Sequence, residues 1–121
     1  MKKDHFSADC SHCGERLRVE RMGCPACATK TEGQLTLPRL ARLKPEHREF
    51  IELFVLSAGS LKEVGRTLGI SYPTVRNRLD AAIAALRAVD ETRRHERLAV
   101  IAAVETKTIT VDEAARRLAL L

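Results

Sequence analysis

At 121 residues the chain is long enough for one ordinary domain, or for two small ones if something besides a hydrophobic core holds one of them together. It is 45% hydrophobic with no Trp, one Tyr and three Phe, so a core must be built from Leu, Val, Ile and Ala, which favours helices; no apolar run is long enough to span a bilayer or serve as a secretory signal, which points to the cytoplasm and excludes a membrane partner. The net charge of +5 is uneven: residues 1–37 carry 6 basic and 5 acidic side chains, residues 38–89 carry 9 and 5, and residues 90–121 carry 6 and 6, so a polyanion would dock on the middle third.

The first element is a cysteine cluster. Cys10-x2-Cys13 and Cys24-x2-Cys27 are separated by ten residues, the spacing of two knuckles that each give two thiolates to one tetrahedral ion. A reducing cytoplasm disfavours disulfides, so one structural Zn2+ per chain is expected, with disulfides or unbound thiols as the alternative. The tight turn of a knuckle lets backbone amides point at the sulfurs, and Gly14 suits the left-handed position after Cys13, where the second knuckle has Ala28. A redox Cys-x-x-Cys would need a strand-then-helix pattern that is absent here. His5 and His12 are candidate ligands, but four thiolates already complete a structural site and leave no open position for catalysis. Alternating Leu17, Val19, Leu35 and Leu37 read as short strands, so residues 1–37 form a small zinc ribbon.

Pro38–Pro45 (PRLARLKP) is a basic connector that holds the domain boundary. From Pro45 the pattern turns helical, with Phe50, Ile51, Leu53, Phe54 and Val55 on one apolar face ended by Gly59. Ser60 to Glu63 fits a capping box that opens a second helix, which stops at Gly69; Ser71 can cap a third, whose first turn tolerates Pro73. Val75, Leu79, Ile83 and Leu86 mark the buried stripe of that third helix.

Leu61–Leu79 (LKEVGRTLGISYPTVRNRL) has the spacing of the DNA-binding bihelical motif. Gly65 permits close approach where the helices cross, Gly69 can take positive φ in the turn, and Val64, Leu68, Ile70, Val75 and Leu79 close a small core. The outward start of the third helix then presents Ser71, Tyr72, Thr74, Arg76, Asn77 and Arg78. Arg can bridge guanine, Asn can bridge adenine, and the hydroxyls can hold phosphate oxygens. Arg39, Arg42 and Lys44 would steer the backbone.

Asp90–Arg97 (DETRRHER) carries charge on every side and reads as a solvated helix or a linker, with the linker preferred. Residues 98–121 then form a helical hairpin: Leu98, Ile101 and Val104 make one short apolar face, and Thr110 to Glu113 is a second capping box opening a last helix through Leu118. No internal repeat stands out. The expected fold is mainly α: a four-cysteine zinc ribbon at 1–37, a helix-turn-helix domain at 38–89, a charged linker at 90–97 and the C-terminal hairpin.

TVRNRL (residues 74–79) resembles the recognition helix of region 4 in extracytoplasmic-function sigma factors, where such a run meets promoter DNA. From Cys10 to about Leu86, the order of knuckles, LPRLARL and SLKEVGRTLGISYPTVRNRLD resembles a bacterial family known as domain of unknown function 2089, with ISYPTVRNRLD the most specific stretch. That resemblance implies a ribbon fused to a sigma-like bihelical domain and implies no established activity. IAAVETKTITVDEAARRLALL resembles C-terminal helical hairpins of the Ile-Thr-x-x-Glu-Ala type, which suggests homo-association through residues 98–121.

Two functions follow. The first is a transcriptional regulator that binds double-stranded DNA, with dimerisation through residues 98–121 supplying a second half-site. The second is an adaptor in which the same units bind a protein such as RNA polymerase or a sigma factor. Asp80 and the scarcity of lysines near the motif favour the adaptor, while the local +4 favours DNA. No constellation of His, Ser or carboxylates frames a pocket, so an enzyme is not expected.

Overall fold

The computed structural model describes residues 6–121; His5 lies outside them. In chain order the elements are β1 (Val19–Gly23), β2 (Lys30–Leu35), a 3-10 turn (Arg39–Arg42), α1 (Pro45–Leu56), α2 (Leu61–Leu68), α3 (Tyr72–Glu105) and α4 (Val111–Ala119). The chain is thus mainly helical with an N-terminal two-stranded antiparallel sheet. It divides into two compact units, one of residues 6–8 with Arg39–Val89, the other of Asp9–Pro38 with Asp90–Leu121. Among the described residues, no helix is long and apolar enough to cross a membrane.

In the first unit, Pro45 occupies the opening turn of α1, where a missing N–H costs nothing. Phe50 is buried, and Ile51, Leu53 and Phe54 pack against the same cluster. Val55, expected on that face, is 67% exposed and Leu56 is 85% exposed. Five residues beyond Phe50 is about 140° around the helix, which turns Val55 away from the core. The helix ends in a Schellman turn: Ala58 N–H donates to Val55 O and Gly59 N–H to Phe54 O, both at 2.9 Å, with φ of 50° and 77°. Ser60 Oγ then accepts the amide of Glu63 at 3.3 Å to start α2. Only half of the expected capping box forms, because the Ser60 amide donates to Ser57 O and the Glu63 carboxylate turns to Arg66 at 3.2 Å.

Gly65 lies where α2 crosses the turn and the start of α3. A Cβ there would lie 3.1 Å from Ile70 O and 3.2 Å from Val75 Cγ2, so the close crossing depends on glycine. Gly69 takes φ 64° at the end of α2, and Ser71 caps α3 by accepting the Thr74 amide at 3.4 Å. Phe50, Val64, Val75 and Ala82 form the centre of the core. The stripe on α3 therefore steps 75, 79, 82, 86, and Ile83, expected on it, is exposed. Alanine at 82 is small enough to sit between packed helices, and a three-residue step after Leu79 keeps it on the inner face.

The largest departure is at residues 90–97, which are helix and not linker: α3 runs unbroken from Tyr72 to Glu105. Half-buried residues continue at Val89, Arg93, Glu96, Val100 and Ala103 in alternating steps of four and three. Arg93 and Glu96 hold stripe positions with their aliphatic stems, and Arg16 of the ribbon reaches Glu96 Oε2 at 3.2 Å. The first of the two expected closing helices is consequently the end of α3. After it, Lys107 N–H donates to Val104 O and Thr108 N–H to Ala103 O, and Thr110 Oγ1 accepts the Glu113 amide at 3.2 Å to start α4.

In the ribbon, β1 and β2 pair antiparallel with Val19 opposite Leu35 and Gly23 opposite Lys30; the register shifts between Val19 and Arg21. No residue of Asp9–Pro38 is buried. Its strands expose both faces, so the hydrophobic effect alone holds little of it.

Within the first unit, one side chain of α1 joins residues that precede and follow the Asp9–Pro38 segment. Arg48 donates from Nη1 to Ala41 O at 3.1 Å and from Nη2 to Phe6 O, and its guanidinium lies 5.5 Å from the centroid of the Phe6 ring.

Candidate nucleic-acid interface and cysteine knuckles

The two knuckles repeat one backbone design. Cys10 N–H donates to Glu15 O and Cys24 N–H to Thr29 O, each at 2.8 Å, while Gly14 N–H and Ala28 N–H donate back to Cys10 O and Cys24 O at 2.9 Å. Gly14 and Ala28 hold the same left-handed position, with φ of 77° and 57°. The alanine therefore adopts a conformation that its Cβ disfavours. Neither Ala28 nor Thr29 is called for by the cysteine spacing, yet both complete the second turn.

The four cysteines are free of disulfides. The His12 amide donates to Cys10 Sγ at 3.4 Å. The amides of Cys13 and His12, with the Cys13 thiol, hold the Cys10 thiol below its ordinary range. At the second knuckle Cys27 Sγ lies 3.1 Å from Thr29 Oγ1, and the Thr29 hydroxyl, its amide and the Cys24 thiol lower Cys27 likewise. Cys10 and Cys27 are thus shifted toward thiolate, the form that binds zinc. The two pairs are not gathered into one cluster: among the described residues, no three His, Cys, Asp or Glu side chains stand together as a metal group. His12 is exposed and its imidazole joins neither pair. In donor chemistry and knuckle geometry the residues fit zinc, and convergence of the pairs is what the ion itself would add.

The second candidate surface is the start of α3. Val75 is fully buried, and Ser71, Tyr72, Thr74, Arg76, Asn77 and Arg78 are all exposed around it. Their roles differ. Ser71 and Thr74 share a 2.8 Å hydroxyl contact as part of the cap. Arg76 Nε lies 3.5 Å from Asp80 Oδ1, one turn on, and both are exposed, so the pair is weak enough for a phosphate or base to displace. Tyr72 and Asn77 stand open. Three consecutive helical residues sweep about 200°, so Arg76, Asn77 and Arg78 cannot share one face. Arg78 instead lines a cavity of about 390 Å3 with residues of α1 and α2.

Of the three basic residues before α1, Arg39 and Lys44 are exposed, whereas Arg42 is half-buried with Nε and Nη1 shielded from solvent. Arg42 therefore has less to offer a phosphate than its sequence position suggests. The signal missed in the sequence was Leu43, nearly fully buried, which draws its neighbour inward.

Residues 43–89 match the family model described as Domain of unknown function (DUF2089)-HTH. The match takes in α1, α2 and α3 as far as Val89, and supports a helix-turn-helix for that stretch; the cysteine knuckles and residues 90–121 lie outside it. No curated protein and no solved structure matches the chain.

Proposed function

We propose that this protein is a DNA-binding transcriptional regulator whose helix-turn-helix reads duplex DNA and whose ribbon is held by one zinc ion. The observation that carries the reading is the first turn of α3, where a fully buried Val75 is ringed by exposed Tyr72, Arg76 and Asn77 in a segment with an excess of basic residues. In this reading Arg76 leaves Asp80 for a base edge, Asn77 pairs with an adjacent base, and Tyr72, Ser71 and Thr74 hold phosphate oxygens. Arg39 contributes attraction without sequence information. Association of two copies through residues 98–121 would supply the second half-site.

Binding measurements on a selected duplex and on random duplex test this. Replacing Arg76 or Asn77 with Ala should cost about 1–3 kcal/mol on the selected sequence and much less on random DNA. Arg39→Ala should weaken both DNAs alike and reduce the salt dependence by about one counterion. Equal losses for all three would leave only nonspecific attraction. Absence of binding at low salt would transfer the case to the adaptor for RNA polymerase or a sigma factor, a reading that the Arg76–Asp80 pair favours because it already neutralises one reading residue.

For the ribbon, Cys10, Cys13, Cys24 and Cys27 would hold the zinc, which supplies cross-linking and no catalysis. Elemental analysis of protein purified without chelator should find one zinc per chain, and Cys24→Ser should lose it. Metal-free protein with paired disulfides would refute the assignment.

A further inference from the structure

The last turns of α3 present two faces, both within the unit of Asp9–Pro38 with Asp90–Leu121. Arg93, Glu96, Val100 and Ala103 form a half-buried stripe, and Arg16 meets it at Glu96. The far side carries Arg94, Leu98, Ile101 and Glu105, whose spacing of four, three and four residues keeps them within an arc of about 60°. All four are exposed, Leu98 at 54% and Ile101 at 47%. Among the described residues, neither Arg94 nor Glu105 belongs to an ion pair. Alternating steps of four and three are the spacing with which one helix lays a seam along another. Here the seam has two aliphatic positions at its centre and one charge of each sign at its ends.

That order selects the occupant. A copy of the helix laid parallel would oppose Arg94 to Arg94 and Glu105 to Glu105, and the like charges would repel. Laid antiparallel, the same helix is its own complement. Residues 94 and 105 are equidistant from the midpoint of the stripe, as are 98 and 101, so a two-fold operation sets each arginine on a glutamate and each leucine on an isoleucine. Ala102, exposed beside the seam, has no bulk to hold the helices apart. We propose that a second copy of this chain docks antiparallel on this face, Arg94 on the partner's Glu105 and Leu98 on the partner's Ile101. This contact rests on the reading above that two copies associate, and it lies on the end of α3, beginning before residue 98, rather than on α4. The seam is short, so the dimer exchanges with monomer on dilution.

Sedimentation of the full chain across a concentration series tests the face without DNA. Wild type should pass from monomer to dimer. Arg94→Glu and Glu105→Arg each set like charges together at both ends of the seam, and each should weaken the dimer at least about tenfold. Mixing the two variants should restore association as a heterodimer, visible by native mass spectrometry, and the double variant Arg94→Glu/Glu105→Arg should recover a homodimer. Leu98→Asp should leave monomer. All these positions are exposed, so the variants should keep the wild-type helicity, and recovery on mixing is a result that misfolding cannot produce.

A dimer that survives Arg94→Glu, Glu105→Arg and Leu98→Asp alike overturns this face and leaves the association of two copies standing. Loss in the single variants without recovery on mixing overturns the antiparallel pairing. A wild-type chain that stays monomeric at the highest concentration sedimented overturns both the face and the association, and gives the stripe to a different protein.

Discussion

The α1–α2 corner and the α3–α4 corner use one local code to reach different degrees of burial. Each ends a helix with the same pair of carbonyl contacts and a non-glycine residue at positive φ, Ala58 in one and Lys107 in the other. A hydroxyl then caps the next helix, Ser60 or Thr110, and a Glu three residues on pairs with an Arg, Glu63 with Arg66 and Glu113 with Arg116, both at 3.2 Å. The difference lies in what closes over the short helix. In α2 the fourth residue is Val64, fully buried, and the fifth is Gly65, against which Val75 packs. In α4 the same places hold Ala114 and Ala115, and the first-turn Val111 is 71% exposed where Leu61 packs on the core. Hydrogen bonds and caps thus specify a corner, and the residues at positions four and five decide whether another helix can nest in it.

That contrast can be broken most severely at the buried position. Val64→Ala removes two buried methyls and leaves a cavity, which should cost about 2 kcal/mol in denaturant unfolding, whereas Ala114→Gly should cost about 1 kcal/mol, chiefly from helix propensity. Equal costs would mean that α4 is buried as tightly as α2. The caps should show no such asymmetry: Ser60→Ala and Thr110→Ala each remove one side-chain bond to an amide and should each cost about 1 kcal/mol. A Thr110→Ala effect visible only in hydrogen exchange of residues 106–119 would show that the second corner opens on its own.

The smallest effect concerns pH. The Arg117 side chain, hydrogen-bonded at 2.9 Å, holds Glu113 below its usual carboxylate range, helped by the charges of Arg116 and Arg117. A folded value below the unfolded one means that this contribution is present above the ordinary glutamate range and is lost as pH falls through the folded value. Helicity of α4 should decline slightly on acidification through that window, and Glu113→Gln should remove this part of the dependence. An identical acid profile in that variant would show that the ion pairs contribute nothing.

Much of the fold is legible because its signals are local. Paired cysteines announce the knuckles, Ser60 and Thr110 announce helix starts, and Gly65 and Gly69 mark a crossing and a turn, since each needs only its near neighbours to act. The features that are not legible depend on remote partners. Asp90–Arg97 looks like a linker until Arg16, 80 residues before Glu96, is placed against it. The cavity that Arg78 lines with residues of α1 and α2 is not legible either, because no period in the sequence encodes that space. Ala82 gives no signal for a related reason: a small side chain contributes little to an apolar pattern, and its burial follows from the approach of helices on either side.

The two-pronged grip of Arg48 on Phe6 and Ala41 bears on the topology of the chain. A single guanidinium brings together the backbone on either side of Asp9–Pro38, so the ribbon is an excursion that leaves the helical unit and returns to its starting point. Closing a flexible excursion of about 30 residues costs roughly 3 kcal/mol of chain entropy. That cost falls on the helical unit while the ribbon is unfolded and is reduced once the ribbon's own ends are held by its internal structure. Replacing the segment by a short turn would keep residues 6–8 on α1 but would strip residues 90–121 of the segment with which they form the second unit.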